Sequence, residues 1–265
     1  MKPLLIEAVT VCEGYADFLR VTARYNRPMF DNWVIVTSPK DKETQDVCRK
    51  YGIRCVITND FHSFGDTFNK ARAINRGLSQ LSHRGWVVHI DADVILPPHF
   101  RQALNSAQVD DARGNIYGCD RVMVKSAKQW RALKASGYLG GFPQHSYHNW
   151  LRVSPRIKPE GPDALPDVPP VLPMGDRWAD VLHGWVPIGF FQMWHGEAGQ
   201  GYGINTKQYP IGHNSAERTD VQFALQWDRN NRVLIPEFVA IHLESEPSPI
   251  GINWRGRKSK QFVEE

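Results

Sequence analysis

Over its first hundred residues the chain alternates short runs rich in β-branched and aromatic side chains with longer segments of helical periodicity. That alternation builds helices onto a mostly parallel sheet. The β-rich runs fall at residues 4–11, 33–37, 53–58 and 86–90. Between them, Phe18, Leu19, Thr22 and Tyr25 recur at helical spacing, Val47 sits among charges in 41–51, and Phe68, Ala71, Ile74, Asn75 and Leu78 share one face of 64–81. Each crossover is expected to be right-handed. Helix starts are placed at Ser38-Pro39-Lys40 and at Asp66, where a short polar side chain precedes a periodic segment.

Beyond about residue 110 the regular alternation stops. A strand over Ile116–Val124 and a helix over Ala127–Ala135 are expected, and then residues 155–173 carry seven prolines. Each proline removes a backbone donor and fixes φ, so the segment reads as an extended loop. The β-rich pattern resumes at 186–194 and 234–243, which places that loop inside one domain spanning 1–265, with a first half to 110 and a second from 111. A chain of 265 residues, 42% hydrophobic and 23% charged, buries a sizeable core and is too long for a peptide-recognition module alone. Its four cysteines, Cys12, Cys48, Cys55 and Cys119, form no CxxC pair and read as reduced thiols. The apolar run at the start is too short for a signal peptide, and no stretch approaches the roughly 18 apolar residues of a membrane span. A cytoplasmic protein of a bacterial or virus-infected cell is therefore expected. The net charge of +4 permits an acidic ligand such as a nucleoside diphosphate, an anionic lipid surface or a nucleic acid, and selects none of them.

The stretch Trp86-Val-Val-His-Ile-Asp-Ala-Asp93 carries the chemistry. With 17 aspartates in the chain, about one Asp-x-Asp triplet arises by chance; here, however, Asp91 and Asp93 close an apolar strand. Open α/β sheets bind ligands at the carboxyl ends of their strands, and alternate residues of an extended segment point the same way. Two hard oxygen donors there suit Mg²⁺ or Mn²⁺ bridging a diphosphate; the competing reading is a polar strand end that caps the next helix. A second stretch, residues 183–197, mixes aromatics with polar groups. Gln192, Trp194 and His195 there are candidates for donor-sugar or acceptor contact, since Trp faces stack on sugar C–H surfaces while amides and imidazoles bond hydroxyls; a core strand is the alternative. Neither His145/His148 nor His183/His195 has the spacing of a zinc protease, so no zinc site is assigned.

The segment His89-Ile-Asp-Ala-Asp-Val-Ile-Leu-Pro97, preceded by Phe68-Asn-Lys-Ala-Arg-Ala-Ile-Asn-Arg-Gly77, resembles the GT-A class of nucleotide-sugar glycosyltransferases. The resemblance implies an α/β, Rossmann-like, mostly parallel sheet flanked by helices, with an irregular acceptor-binding second half. It also implies that Lys70 or Arg72, together with Asn75, faces the nucleotide, that Thr10 and Glu13 at the end of the first strand hold the nucleoside, and that Asp60 after the third addresses the base. His242, at the end of a late strand, would join Asp91 and Asp93 as third ligand of Mn²⁺ or Mg²⁺. Asp220, with Glu217 as reserve, matches the place of the carboxylate that deprotonates the acceptor hydroxyl. The tail, residues 251–262, would close Arg255, Arg257 and Lys258 over the diphosphate, anchored by Trp254 and Phe262.

These readings converge on a metal-dependent transferase that moves a sugar from a nucleoside diphosphate sugar, a uridine one first, to a hydroxyl. Two acceptor classes stay open: a glycan, and a hydroxymethylated pyrimidine in DNA of the kind some phage enzymes modify. A nucleotidyltransferase is the enzymatic alternative, although the Gly-rich basic loop expected after its first strand is missing. A non-catalytic nucleic-acid or carbohydrate-binding protein is the alternative of a different class, and it predicts that Asp91 and Asp93 are dispensable.

Overall fold

The computed structural model describes residues 4–135, 172, 174–199, 207–244 and 253–262. Eight strands form one sheet in the order β3-β2-β1-β4-β9-β6-β10-β5. They are β1 Ile6–Val11, β2 Asn32–Thr37, β3 Arg54–Ile57, β4 Trp86–Ile90, β5 Val94–Ile95, β6 Ile116–Val124, β9 Phe191–His195 and β10 Arg232–Leu243. A separate hairpin pairs β7 Trp178–Asp180 with β8 Gly184–Val186. The strands β3, β2, β1 and β4 run parallel, as do β6 and β10. β9 lies antiparallel between β4 and β6, and β5 antiparallel on β10. The helices are α1 Ala16–Asn26, α2 Lys42–Tyr51, α3 Lys70–Leu78, α4 Phe100–Ser106, α5 Ala127–Ala135 and α6 Thr219–Ala224.

Local chemistry sets these boundaries. Asp41 caps α2 by accepting from the Thr44 amide, and Gly52, at φ 60°, ends it in the left-handed conformation that glycine adopts without strain. Asn69 caps α3 through the Arg72 amide, three residues after the Asp66 that the sequence suggests. Residues 63–65 form a separate short turn with Phe64 at φ 61°, which is why the helix expected from 64 begins only at Lys70. α3 lies so close to the sheet that a Cβ on Gly77 would overlap the side chains of Val9 and Val36.

The central strands are covered on both faces, as a parallel sheet requires. All six residues of β1 and all five of β4 are buried. On β4, Trp86, Val88 and Ile90 join the core beneath α1 and α4, while Val87 joins Ile74, Trp194, Tyr209 and Phe223 on the other face. The run expected over 186–194 is two strands, β8 and β9, separated by a turn at Pro187–Phe190, and β5 and α4 are additional elements. The proline-rich segment 155–173 lies, apart from Leu172, outside the described residues.

Candidate active site

The Asp91-Ala92-Asp93 turn leaves β4 at its carboxyl end. The Asp91 amide bonds the Phe190 carbonyl at 3.1 Å, and Val94 N returns to Asp91 O at 3.3 Å. α1 holds the turn from behind: Thr22 Oγ1 donates to Ala92 O and Asn26 Nδ2 to Val94 O, both at 2.7 Å, while Asn26 Oδ1 accepts from Leu96 N. The chain then enters β5, whose Val94 pairs with His242 of β10, and Leu243 N donates to Asp93 O at 2.8 Å. This pairing brings His242 Nε2 to 3.4 Å from Asp93 Oδ2.

The two carboxylates of the turn are held differently. Asp91 Oδ1 accepts from Lys70 Nζ at 2.5 Å, with His89 Nε2 at 3.6 Å. Burial raises the Asp91 carboxyl above its ordinary value, with the charge of Asp93 adding to it. Burial acts on Asp93 too, but the imidazole of His242 outweighs it and holds that carboxyl below the usual range. Asp93 Oδ1 and His242 Nδ1 are both buried and, among the described residues, without a hydrogen-bond partner, an arrangement that is costly unless another group satisfies them. A carboxylate oxygen and an imidazole nitrogen fit Mn²⁺ or Mg²⁺ in donor chemistry. Among the described residues no three His, Cys, Asp or Glu side chains gather around one point: Asp93 and His242 face each other, whereas Asp91 is engaged by Lys70.

These groups line a cavity of about 790 Å³ together with Arg121 and Asp220. Asp220, the second residue of α6, accepts from the adjacent Gly189 N, which also lines the cavity. Glu217 also lines the cavity, next to Arg218, which adopts φ 58°. Glu13 lines it and bonds His62 at 2.9 Å.

Other expected contacts are not brought to the cavity. Thr10 is fully buried and accepts from Trp33 Nε1 at 3.0 Å. Asp60 pairs with Arg76 and Arg72 with Asp66, each at 2.8 Å. Asn75 uses its amide to bond both the N–H and the carbonyl of Tyr209. Gln192, Trp194 and His195 are buried in β9, with Trp194 packed on Phe223 and His195 edge-on to Trp86. The reason is topological: β9 is an interior strand flanked by β4 and β6, so its side chains enter the core on either face.

The basic tail is corrected likewise. Arg257 forms a bidentate pair with Asp17 over the rings of Tyr15 and Phe18, and the exposed Arg255 and Lys258 do not line the cavity. Asn253, Trp254 and Ser259 line it instead. Phe262 is buried as an anchor, but Trp254 is 45% exposed. Sequence reasoning missed Arg121, whose guanidinium lies 4.4 Å over the Phe190 ring with Nε unpartnered among the described residues, and Lys125. The signal was strand alternation: Arg121, Met123 and Lys125 follow one another at period two and all line the cavity.

A large, mostly parallel sheet flanked by helices, with an acidic turn at the carboxyl end of an inner strand, is the Rossmann-like GT-A architecture. The chain belongs to glycosyl transferase family 2, whose model matches residues 20–177. Among solved structures it is similar to mannosyl-3-phosphoglycerate synthase from Rubrobacter xylanophilus, with 23% identity over 46% of this chain and 41% of that one and a TM-score of 0.35. It is also similar to glucosyl-3-phosphoglycerate synthase from Mycobacterium tuberculosis in complex with Mn²⁺ and UDP-glucose, with 15% identity over 93% and 73% of the chains and a TM-score of 0.48. A further complex of that synthase, with Mn²⁺, UDP-glucose and phosphoglyceric acid, matches at 19% identity over 51% and 49%, with a TM-score of 0.36. The chain thus spans about two fifths of the length of the first of these structures and about half of the third. No curated protein matches it. Among the described residues no helix is long and apolar enough to cross a membrane.

Proposed function

We propose that this chain is a metal-dependent glycosyltransferase that moves a sugar from a nucleoside diphosphate sugar, with uridine as the base, to an acceptor hydroxyl. The observation that carries the reading is Asp93 in the cavity wall: its buried Oδ1 has no hydrogen-bond partner among the described residues, and its Oδ2 stands 3.4 Å from His242 Nε2. Asp93 and His242 would hold the divalent cation, which when bound would neutralise charge on the leaving diphosphate. Lys70 sets a second positive charge beside Asp91 and so favours phosphate in the same region.

Asp220 takes the acceptor side. In an inverting transfer the bond from the anomeric carbon to the acceptor oxygen forms as the bond to the diphosphate oxygen breaks, and the hydroxyl proton passes to the Asp220 carboxylate. Carboxylates outnumber Lys and Arg along the cavity wall, which repels a polyanion such as duplex DNA and favours a glycan or other soluble hydroxyl acceptor over a DNA base.

The test is release of nucleoside diphosphate from a panel of nucleotide sugars, UDP-glucose first, with and without Mn²⁺, in wild type and Asp93→Asn. Cation-dependent release abolished by the substitution is the expected result. Formation of nucleoside triphosphate and sugar 1-phosphate from the donor, only when pyrophosphate is added, would instead identify a nucleotidyltransferase, and binding of a glycan or nucleic acid without release from any donor, unchanged in Asp93→Asn, would identify a binding protein.

A further inference from the structure

The side chain of Gln192 makes a pattern of bonds that goes beyond packing. Its Nε2 donates to two carbonyls, Pro187 O at 2.8 Å and Asp220 O at 3.0 Å. Two residues beyond Pro187, the Gly189 amide donates to Asp220 Oδ2. One amide therefore ties down both partners of the contact that holds the Asp220 carboxylate: the turn that presents Gly189 N and the main chain of Asp220 itself. The approach is close enough to require glycine, since a Cβ on Gly189 would come within 2.7 Å of Asp220 Cβ.

The orientation of that amide is also determined. With both Nε2 protons given to carbonyls, Oε1 is left to accept, and it does so from Tyr209 Oη at 2.5 Å. Tyr209 has one proton to give, so the remaining contact of its oxygen, at 3.0 Å, must be donated by His89 Nδ1. The Tyr209 backbone is itself clamped at both N–H and carbonyl by Asn75, and its ring stacks on Phe223 at 3.8 Å. Reversing the amide would set Oε1 against two carbonyl oxygens, so the chain of donors has one arrangement.

We propose that Gln192 is a positioning residue for Asp220, oriented by the hydroxyl of Tyr209 and acting through the Pro187 and Asp220 carbonyls. The inference rests on the reading of Asp220 as the acceptor-side base. It gives Gln192 a role at a distance from the substrate in place of the sugar contact expected from sequence.

A double-mutant cycle tests it, with Mn²⁺-dependent UDP release from UDP-glucose to water as the rate and UDP affinity by calorimetry as the control for an intact donor site. Gln192→Glu places an oxygen where the two carbonyls need a donor; kcat is expected to fall about tenfold with UDP affinity unchanged. Combined with Asp220→Asn, the substitution should add nothing to the loss caused by Asp220→Asn alone. Tyr209→Phe keeps the stacked ring and removes only the orienting hydroxyl; it should lower kcat in the same non-additive way and carries the test if Gln192→Glu does not bind UDP. A wild-type rate for both variants, or losses that multiply with that of Asp220→Asn, would overturn the proposal. A wild-type rate for Asp220→Asn alone would instead overturn the base assignment on which it rests.

Discussion

His242 Nε2 stands 3.4 Å from Asp93 Oδ2 because Val94, the residue after Asp93, pairs with His242 where β5 meets β10. Two distant parts of the chain thus meet at one strand pair, and each contributes a buried atom without a partner among the described residues, Asp93 Oδ1 and His242 Nδ1. Replacing His242 by Ala removes one donor of the pair. The Mn²⁺ concentration for half-maximal UDP release should rise about tenfold or more, while the fold persists, as read by an unchanged thermal midpoint in the absence of metal.

Lys70 is half-buried against Asp91, and although burial lowers its pKa, the adjacent carboxylate raises it above the ordinary value. The ammonium is therefore charged throughout the working pH range. Lys70→Met leaves the half-buried Asp91 without its cation and removes positive charge from the phosphate region. A loss of about 100-fold in kcat/KM for the donor is expected, with Lys70→Arg retaining more activity than Lys70→Met. Equal rates for Lys70→Met and wild type would remove Lys70 from the site.

Gly77 marks the closest approach of α3 to the sheet. Gly77→Ala drives a methyl group into Val9 and Val36, and overpacking of this kind costs about 1–3 kcal/mol. Thermal or denaturant unfolding should show the loss. A gain in stability, the usual effect of Ala in a helix, would mean that α3 moves away from the strands at little cost.

Glu7 gathers donors from Ser82 N, Ser82 Oγ, His83 N and Asn32 Nδ2. Burial opposes the charge, but these bonds prevail and lower the carboxyl below its ordinary value of 4.5. A depressed folded pKa gives stability that is present above the unfolded pKa and is lost as pH falls through the folded one. Glu7→Gln should therefore cost about 2 kcal/mol at neutral pH and much less in strong acid, so that the stability curves of the two proteins converge as pH falls below about 4. Parallel curves down to acid pH would contradict this account.

The order of elements through β4 was legible because each strand and helix there carries its own period. Thr22, read as one residue of a helical face, turns out to bond the Ala92 carbonyl that shapes the acidic turn. What sequence could not show was partnership at long range. Asn75, Asp60 and Arg72 look available on paper, but Tyr209, Arg76 and Asp66 engage them. Gln192, Trp194 and His195 read as a polar aromatic surface because nothing in sequence order reveals that β9 inserts antiparallel between β4 and β6. Arg257 looked like a mobile cation because its partner Asp17 lies at the opposite end of the chain.

The central claim is that the Asp93 and His242 pair couples a divalent cation to a nucleoside diphosphate. Calorimetric titration of UDP into wild type and Asp93→Asn, each with and without Mn²⁺, tests it most directly. Wild type should bind UDP at least about tenfold more tightly with the cation, and Asp93→Asn should lose that dependence. Equal UDP affinity in all four titrations, or a cation effect that survives in Asp93→Asn, would contradict the account.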